Sequence, residues 1–163
     1  MLSDSAPMFP PRGRLAGIDY GTKRIGVAVC DPDRILASPF ENYDRRTPAL
    51  DADFFRKLVK EERIVGLVVG LPVHVSGQES QKSFEARQFA EWLKKETGLP
   101  VRLFDERYTS AQAEQHLLAA ELTKKRRKAR LDMLAAQILL AAYLESPDSG
   151  EGADALEDRR PRG

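Results

Sequence analysis

Two short apolar segments joined by a polar turn constrain the fold of this chain more than any other feature. The segments Leu15–Tyr20 and Ile25–Cys30 each have the length and apolar character of a β-strand. The turn between them consists of Gly21, Thr22, Lys23 and Arg24. We therefore predict an antiparallel hairpin at the start of the folded part of the chain, with Asp19 near the end of its first strand.

Asp19 can be interpreted in two ways. Because Asp and Gly are frequent turn formers, Asp19 and Gly21 could simply build the hairpin turn. An acid at a strand exit, beside a small hydroxyl residue and two cations, is equally suited to bind a metal ion or a phosphate group. The hairpin alone does not decide between these roles.

The rest of the chain alternates between strands and helices. Strands are predicted at 34–40, 64–69 and 101–104, and helices after Thr47, over about 78–97, after Thr109, and in a last segment with an apolar stripe. That stripe is formed by Leu131, Leu134, Ala135, Ile138 and Ala142. The order β-β-β-α-β-α-β-α-α predicts an α/β fold, with a mixed sheet, helices on both faces and right-handed crossovers.

Length and composition limit the class of protein. The 163 residues fit one domain, and 26 Lys and Arg against 25 Asp and Glu leave no net charge that would name a partner. We predict a flexible arm over 1–13, a folded domain over 14–145 and a disordered polar tail over 146–163. The single cysteine excludes an internal disulfide, and no segment has the length of a membrane span. We expect a cytoplasmic protein without a membrane partner.

Three acids are candidates for one metal site. Asp19 ends the first strand, Glu106 follows the last strand, and Asp132 is expected in the first turn or two of the final helix. Because function gathers at the carboxyl ends of parallel strands, these carboxylates are candidate ligands for Mg²⁺ or Mn²⁺. Two such ions can clamp the attacking and leaving oxygens of a phosphodiester. The alternative for Asp132 is a helix-start acid that the helix dipole favours.

The predicted sheet poses a geometric difficulty for this site. If the strand at 64–69 lies between the other two, the tips of those two strands are about 10 Å apart. The intervening strand ends in Gly70, Leu71 and Pro72, none of which is an acid. Glu106 must therefore reach inward or coordinate a metal through water.

A basic run lies on the approach to Asp132, and a solvated loop is its simplest interpretation. It consists of Lys124, Lys125, Arg126, Arg127, Lys128 and Arg130. With the turn residues 21–24 and Arg107, the run could contact the phosphates of a nucleic acid. Because it lacks the apolar spacing of a buried helix, we expect it to be mobile until substrate binds.

Four motifs carry a resemblance that covers about residues 14–145. The motifs GIDYGTKRIGVAV, VVGLP before a glycine-bearing loop, DERYTS and LDMLAAQILLAAYL resemble the YqgF/RuvX family. That family is described as Holliday junction resolvases and as nucleases that mature the precursor of small-subunit ribosomal RNA. The resemblance implies a ribonuclease-H-like fold with strand order 3-2-1-4-5, and implies Asp19, Glu106 and Asp132 as catalytic acids. After GLP the family usually carries an Asn and an acidic or amide residue, where this chain has His74 and Ser76.

The sequence thus predicts a metal-dependent endonuclease or exonuclease, monomeric or homodimeric, that acts on structured nucleic acid. The expected substrate is the 5′ end of pre-16S rRNA, a Holliday junction, or both. One alternative is an inert nucleic-acid-binding module on the same fold. A second is an ATP-binding domain of the actin/sugar-kinase type, because Asp-Tyr-Gly-Thr in a hairpin resembles the phosphate loop of that superfamily. The short chain and the lack of a second Asp-x-Gly-Thr disfavour it.

Overall fold

The computed structural model describes residues 9–72, 80–106 and 124–145, with residues 124–132 described by their backbone alone. Within these ranges one mixed sheet contains the strands β1 (Arg14–Asp19), β2 (Arg24–Cys30), β3 (Ala37–Asp44), β4 (Ile64–Leu71) and β5 (Val101–Asp105). Their order is β3-β2-β1-β4-β5. The hairpin neighbours β1–β2 and β2–β3 are antiparallel, whereas β1–β4 and β4–β5 are parallel. The predicted mixed sheet and its order are confirmed.

Helices cover both faces of the sheet, as predicted. The described helices are α1 (Pro48–Glu61), α2 (Gln81–Thr97) and α3 (Lys124–Glu145). Successive strand residues point to opposite faces, so β1 contributes to two separate cores. Ala16 and Ile18 belong to a core that includes α1 and α2, and Leu15 belongs to a core that includes α3.

Side-chain caps fix where the first two helices begin. Thr47 Oγ1 accepts a hydrogen bond from the backbone N–H of Leu50 at 3.2 Å, and Pro48 takes the first helical position. Ser80 Oγ accepts from the backbone N–H of Ser83 at 3.1 Å. The start of α1 is therefore as predicted, whereas α2 begins a few residues later than expected because Ser80 is its cap.

The third strand lies further along the chain than the predicted 34–40. The carboxylate of Asp31 accepts hydrogen bonds from the backbone N–H groups of Ile35 and Leu36, at 2.9 and 2.6 Å, which extends the turn after β2. Arg34 has a φ of 60°, a left-handed conformation that a strand does not accommodate. The strand therefore begins only at Ala37.

The final helix begins with the basic run, at Lys124, and not after it. Residues 124–130 are helical, so the predicted approach loop forms the first turns of α3. Lys and Arg are good helix formers, which explains how a segment without apolar periodicity extends the helix. Asp132 consequently lies more than two turns inside α3 and not in its first turn or two. The predicted helix after Thr109 lies outside the described residues.

The described end of the predicted arm contacts the domain. The ring of Phe9 meets the ring of Tyr143 edge-on at 5.9 Å, and the guanidinium of Arg102 lies 4.7 Å from the centre of the Phe9 ring. Arg34 donates hydrogen bonds to the carbonyl oxygens of Pro10 and Gly13, at 2.7 and 2.8 Å. The division into arm, domain and tail stays a prediction, since residues 1–8 and 146–163 lie outside the described ranges. None of the described helices is long and apolar enough to span a membrane.

Candidate active site

A cleft of about 380 Å³ opens at the carboxyl ends of β1, β4 and β5. Its described lining includes Asp19, which ends β1, and Glu106, which follows β5. The hairpin turn contributes Gly21 and Thr22, and α2 contributes Lys82 and Glu85. The structure therefore brings two of the three predicted acids into one cleft, although β4 separates their strands.

Gly70 of β4 allows Glu106 to reach that cleft. A Cβ atom at Gly70 would lie 3.1 Å from both Cγ and Cδ of Glu106, and 3.4 Å from its Oε2. The side chain of Glu106 thus lies directly over Gly70 and occupies the space that any larger residue of β4 would fill. This geometry meets the difficulty raised by the strand spacing, since Glu106 extends inward across β4 towards β1.

The surroundings of Glu106 disfavour a bare negative charge. Burial raises the pKa of the Glu106 carboxyl, and the neighbouring carboxylate of Asp105 raises it further. The ammonium group of Lys82 acts in the opposite direction. A divalent cation next to Glu106 would likewise favour the ionised carboxylate. With the oxygen donors of Asp19 in the same cleft, the described donor set fits Mg²⁺ or Mn²⁺.

The hairpin turn beside Asp19 depends on a glycine. A Cβ atom at Gly21 would lie 2.3 Å from the carbonyl oxygen of Arg24, which is far inside any real contact distance. Because the clashing atom belongs to the backbone, it cannot move away as a flexible side chain would. Gly21 is therefore required for the tight return of the chain from β1 into β2.

Arg45 fastens this turn to the domain. Its backbone N–H donates to the carbonyl oxygen of Lys23 at 2.9 Å, and its guanidinium donates to the Tyr20 hydroxyl at 3.2 Å and the Gly21 carbonyl oxygen at 3.4 Å. The guanidinium also lies 5.4 Å from the centre of the Tyr20 ring. The cleft wall formed by the hairpin is thus fixed from outside the cleft.

Asp51 in turn holds Arg45. This buried carboxylate accepts hydrogen bonds from the Tyr43 hydroxyl at 2.7 Å, the Arg46 backbone N–H at 2.8 Å and Nε of Arg45 at 3.4 Å. Burial, together with the hydrogen bond to Asp51, raises the pKa of Tyr43 to about 12. This network could not be predicted from the sequence, because its members are separated from the hairpin in the chain and carry no motif.

A second glycine brings α3 close to β1. A Cβ atom at Gly17 would lie 2.8 Å from Cβ of Leu140 and 3.1 Å from the carbonyl oxygen of Ala136. Position 132 precedes Ala136 by one helical turn, or about 6 Å along the helix axis. Since the dipole effect falls off within the first turn, it does not account for an acid this far inside α3. The side chain of Asp132 lies outside the described part of the structure.

The other predicted contacts divide into three groups. Gly21 and Thr22 line the cleft, whereas Lys23 and Arg24 are exposed on the same hairpin outside the lining. Arg107, His74, Ser76 and the side chains of the basic run lie outside the described residues.

Among the described side chains, no three His, Cys, Asp or Glu groups come close enough to hold a metal ion. Asp19 and Glu106 are therefore the part of the predicted acidic site that can be placed.

Lys82 and Glu85 are cleft residues that the sequence did not indicate. Both belong to the first turns of α2, where their only sequence signal is polarity near a helix start. Which part of α2 borders the cleft depends on how the helix packs on the sheet, and a residue pattern does not determine that packing angle. These two side chains could not have been found without the fold.

Known proteins are similar to this chain in fold and in sequence. The structure is similar to Thermus thermophilus RuvC in complex with Holliday junction substrate, with a TM-score of 0.57 and 17% identity, covering 84% of this chain and 98% of that one. It is also similar to the Fowlpox virus resolvase in complex with Holliday junction DNA, with a TM-score of 0.53 and 10% identity, covering 82% and 98%. These likenesses and the strand order define a ribonuclease-H-like fold.

Sequence comparison gives the particular family. The family model RuvX, described as Holliday junction resolvase, matches residues 13–146. A Rhodopirellula baltica protein provisionally named a pre-16S rRNA nuclease is 56% identical over 138 residues, covering 85% of this chain and 80% of its own length. A protein of the same name from Koribacter versatilis is 41% identical over 133 residues, covering 82% of this chain and 87% of its own length. This chain belongs to the RuvX family.

Proposed function

We propose that this chain is a divalent-metal-dependent nuclease that hydrolyses phosphodiester bonds in structured nucleic acid. The observation that carries the proposal is the meeting of Asp19 and Glu106 in one cleft, although their strands are separated by β4. Membership of the RuvX family supports the same reaction class. Since the two relatives described above bear the name pre-16S rRNA nuclease, the proposed substrate is the 5′ region of that precursor.

The proposed metal ligands are the carboxylates of Asp19, Glu106 and Asp132. Bound Mg²⁺ or Mn²⁺ supplies Lewis-acid polarisation of the phosphodiester and activation of water. Glu106, held over Gly70, presents oxygen donors whose ionised form would be favoured by a nearby positive charge. Asp19 presents its carboxylate beside a turn that Arg45 holds in place. Position 132 lies on the helix that contacts β1 at Gly17.

The proposed nucleic-acid contacts surround this metal site. Gly21 and Thr22 would meet the phosphate backbone at the cleft, and the exposed Lys23 and Arg24 would meet it beside the cleft. The proposal also includes Arg107 and the basic run, whose backbone forms the first turns of α3. The single cysteine, Cys30, is buried and free, which suits a reducing compartment and supports a cytoplasmic location.

A cleavage assay with two substrates tests this function. A pre-16S rRNA fragment with its 5′ extension and a four-way DNA junction, both end-labelled, are incubated with the protein in Mg²⁺, in Mn²⁺ and in EDTA. We expect cleavage of the rRNA precursor in either metal and none in EDTA. Cleavage of the junction alone would replace the proposed substrate, and no cleavage of either would favour the inert binding module.

The variant Asp19→Asn is the matched control for chemistry. The amide keeps the shape of the side chain but removes its negative charge, so the variant should bind the rRNA precursor and fail to cut it. Binding is measured by fluorescence anisotropy and cutting on a denaturing gel. A wild-type cleavage rate in Asp19→Asn would refute the metal-nuclease proposal.

A further inference from the structure

The cleft contains a cation to which the proposed metal site gives no role. Among the described residues that line the cleft, Lys82 is the one cation, and it shares the cleft with Asp19, Glu85 and Glu106. The positive charge of Lys82 reaches Glu106, whose pKa it lowers. Its side chain is exposed, so a ligand that enters the cleft has access to the ammonium group.

Helix stability does not explain a lysine at this position. Lys82 is the second residue of α2, where the helix dipole disfavours a positive charge. The first turn of α2 has no acidic residue to offset it, whereas Lys94 and Lys95 occupy the last turn, where the dipole favours cations. The cations of the described ion pairs are all arginines, so none of those pairs includes Lys82.

A nucleic-acid strand that enters this cleft must approach several carboxylates. Each backbone phosphate carries a negative charge, which Asp19, Glu85 and Glu106 repel, and a bound metal would offset this repulsion most strongly close to its own ligands. An ammonium group in the same cleft attracts a phosphate directly, because lysine binds phosphate as a compact point charge with three donors. Lys82 is placed to provide that attraction on the α2 side of the cleft.

We propose that Lys82 binds a backbone phosphate of the nucleic acid inside the cleft and is a substrate-binding residue of this site. The inference rests on the proposed nuclease function, since it assumes that nucleic acid enters the cleft. Lys82 then aligns the strand against the acids from α2, while the hairpin turn contacts it from the other wall. The proposal assigns Lys82 to the substrate and not to the metal ligands.

The test compares Lys82→Gln with Lys82→Arg and with the control Lys94→Gln. Lys94 lies on the same helix, about 18 Å further along its axis, so its replacement removes an equal charge away from the cleft. Binding of the labelled rRNA precursor is measured by anisotropy in EDTA, over a range of salt concentrations. The metal-free condition separates binding from cleavage.

We expect Lys82→Gln to weaken binding several-fold and to flatten the slope of log affinity against log salt by about 0.7 to 0.9, the value of one phosphate contact. Lys82→Arg should keep most of the affinity, and Lys94→Gln should match the wild type. Equal affinity and slope in Lys82→Gln and Lys94→Gln would overturn the proposal. An increased Mg²⁺ requirement with unchanged binding would also overturn it, because Lys82 would then act on Glu106.

Thermal unfolding of the variant, and binding and cleavage by the wild type, separate a failure of the Lys82 proposal from misfolding and from a failure of the proposed nuclease function. Thermal unfolding of Lys82→Gln should match the wild type, and if it does not, Lys82→Arg and Lys82→Met give the same binding comparison in folded protein. If the wild type binds the precursor but never cuts it, the proposed catalysis fails while the salt slope of Lys82→Gln still decides the role of Lys82. If the wild type binds no nucleic acid, both proposals are overturned.

Discussion

Replacing Gly70 by alanine should disable the site while leaving the fold intact. The new Cβ atom would lie 3.1 Å from Cγ and Cδ of Glu106, where ordinary contacts begin at 3.4 Å. Cγ and Cδ of Glu106 must therefore move away from β4 by a few tenths of an ångström. The carboxylate oxygens move further, because they lie at the end of the Glu106 side chain. A misplacement of about 1 Å can reduce an enzymatic rate about 100-fold, so we expect a loss of about 10- to 100-fold in single-turnover cleavage.

The stability of Gly70→Ala should change little. Gly70 does not have a positive φ, so alanine adopts its backbone conformation without strain. Replacing glycine by alanine at such a position restricts the unfolded chain and stabilises a protein by about 0.4–1 kcal/mol, which offsets the contact with Glu106. Thermal unfolding should therefore place the melting temperature within a few degrees of the wild type.

Gly66→Ala is the control within the same strand. Its Cβ atom would lie 3.0 Å from two ring atoms of Phe9 and 3.1 Å from Cδ2 of Leu15, away from the cleft. We expect this variant to lose stability and to keep the wild-type rate per folded molecule. The two variants should therefore give opposite results: Gly70→Ala loses cleavage activity and keeps its stability, whereas Gly66→Ala loses stability and keeps its activity.

A double-mutant cycle makes the reasoning refutable. Once Glu106→Gln has removed the carboxylate, adding Gly70→Ala should cost little more activity, because both changes act on one group. A wild-type rate in Gly70→Ala would show that the position of Glu106 over Gly70 is not needed for cleavage. Additive losses in the double variant would show that Gly70 acts by another route.

Three further predictions concern the basic run, the buried network and the close approach of α3. Replacing Lys125, Arg126 and Arg127 by Ala should weaken binding across sequences and flatten its salt dependence, while the single-turnover rate at saturating substrate stays nearly unchanged; an unchanged slope in an anisotropy titration would place the binding surface elsewhere. Because the pKa of Tyr43 is raised to about 12 in the folded state, from an ordinary value of 10, this residue favours folding below pH 10 and loses that contribution as the pH rises towards 12. Tyr43→Phe should therefore flatten the alkaline loss of stability in urea unfolding, and an identical alkaline profile would contradict the assignment. Gly17→Ala should destabilise the protein by about 1–3 kcal/mol in the same assay, because one clashing atom belongs to the backbone of α3; a neutral change would refute the close approach.

The sheet could be predicted from the sequence because its signals are local. The hairpin and the apolar run of β4 have the length and the bounding turns of strands. The start of β3 could not be predicted, because it depends on Asp31 accepting hydrogen bonds from backbone groups several residues away. The start of α3 was missed because helix propensity, and not apolar periodicity, carries the helix through the basic run.

The meeting of Asp19 and Glu106 at one edge of the sheet could be predicted from the sequence, whereas their surroundings could not. Asp19 and Glu106 follow strands, so strand order alone brings them to one edge of the sheet. The way in which Glu106 crosses β4 required the structure, because the VVGLP motif includes Gly70 but does not show that the Glu106 side chain packs over it. The predicted apolar stripe of α3 matches its buried face only in part, since Ile138 and Ala142 are buried whereas Leu134 and Ala135 are partly exposed. Residues 134–144 are apolar except for Gln137, so periodicity could not locate the buried face.

The two separate cores have a consequence for how such a protein can evolve. The helix that carries Lys82 and Glu85 rests on one core, and the helix that carries Asp132 rests on the other. Substitutions beneath α2 therefore adjust the wall that would bind a substrate, while substitutions beneath α3 adjust the helix that bears a proposed catalytic acid. Because the sheet separates these layers, substrate preference and cutting rate can drift independently, and a lineage can acquire a new nucleic-acid target without first losing its chemistry.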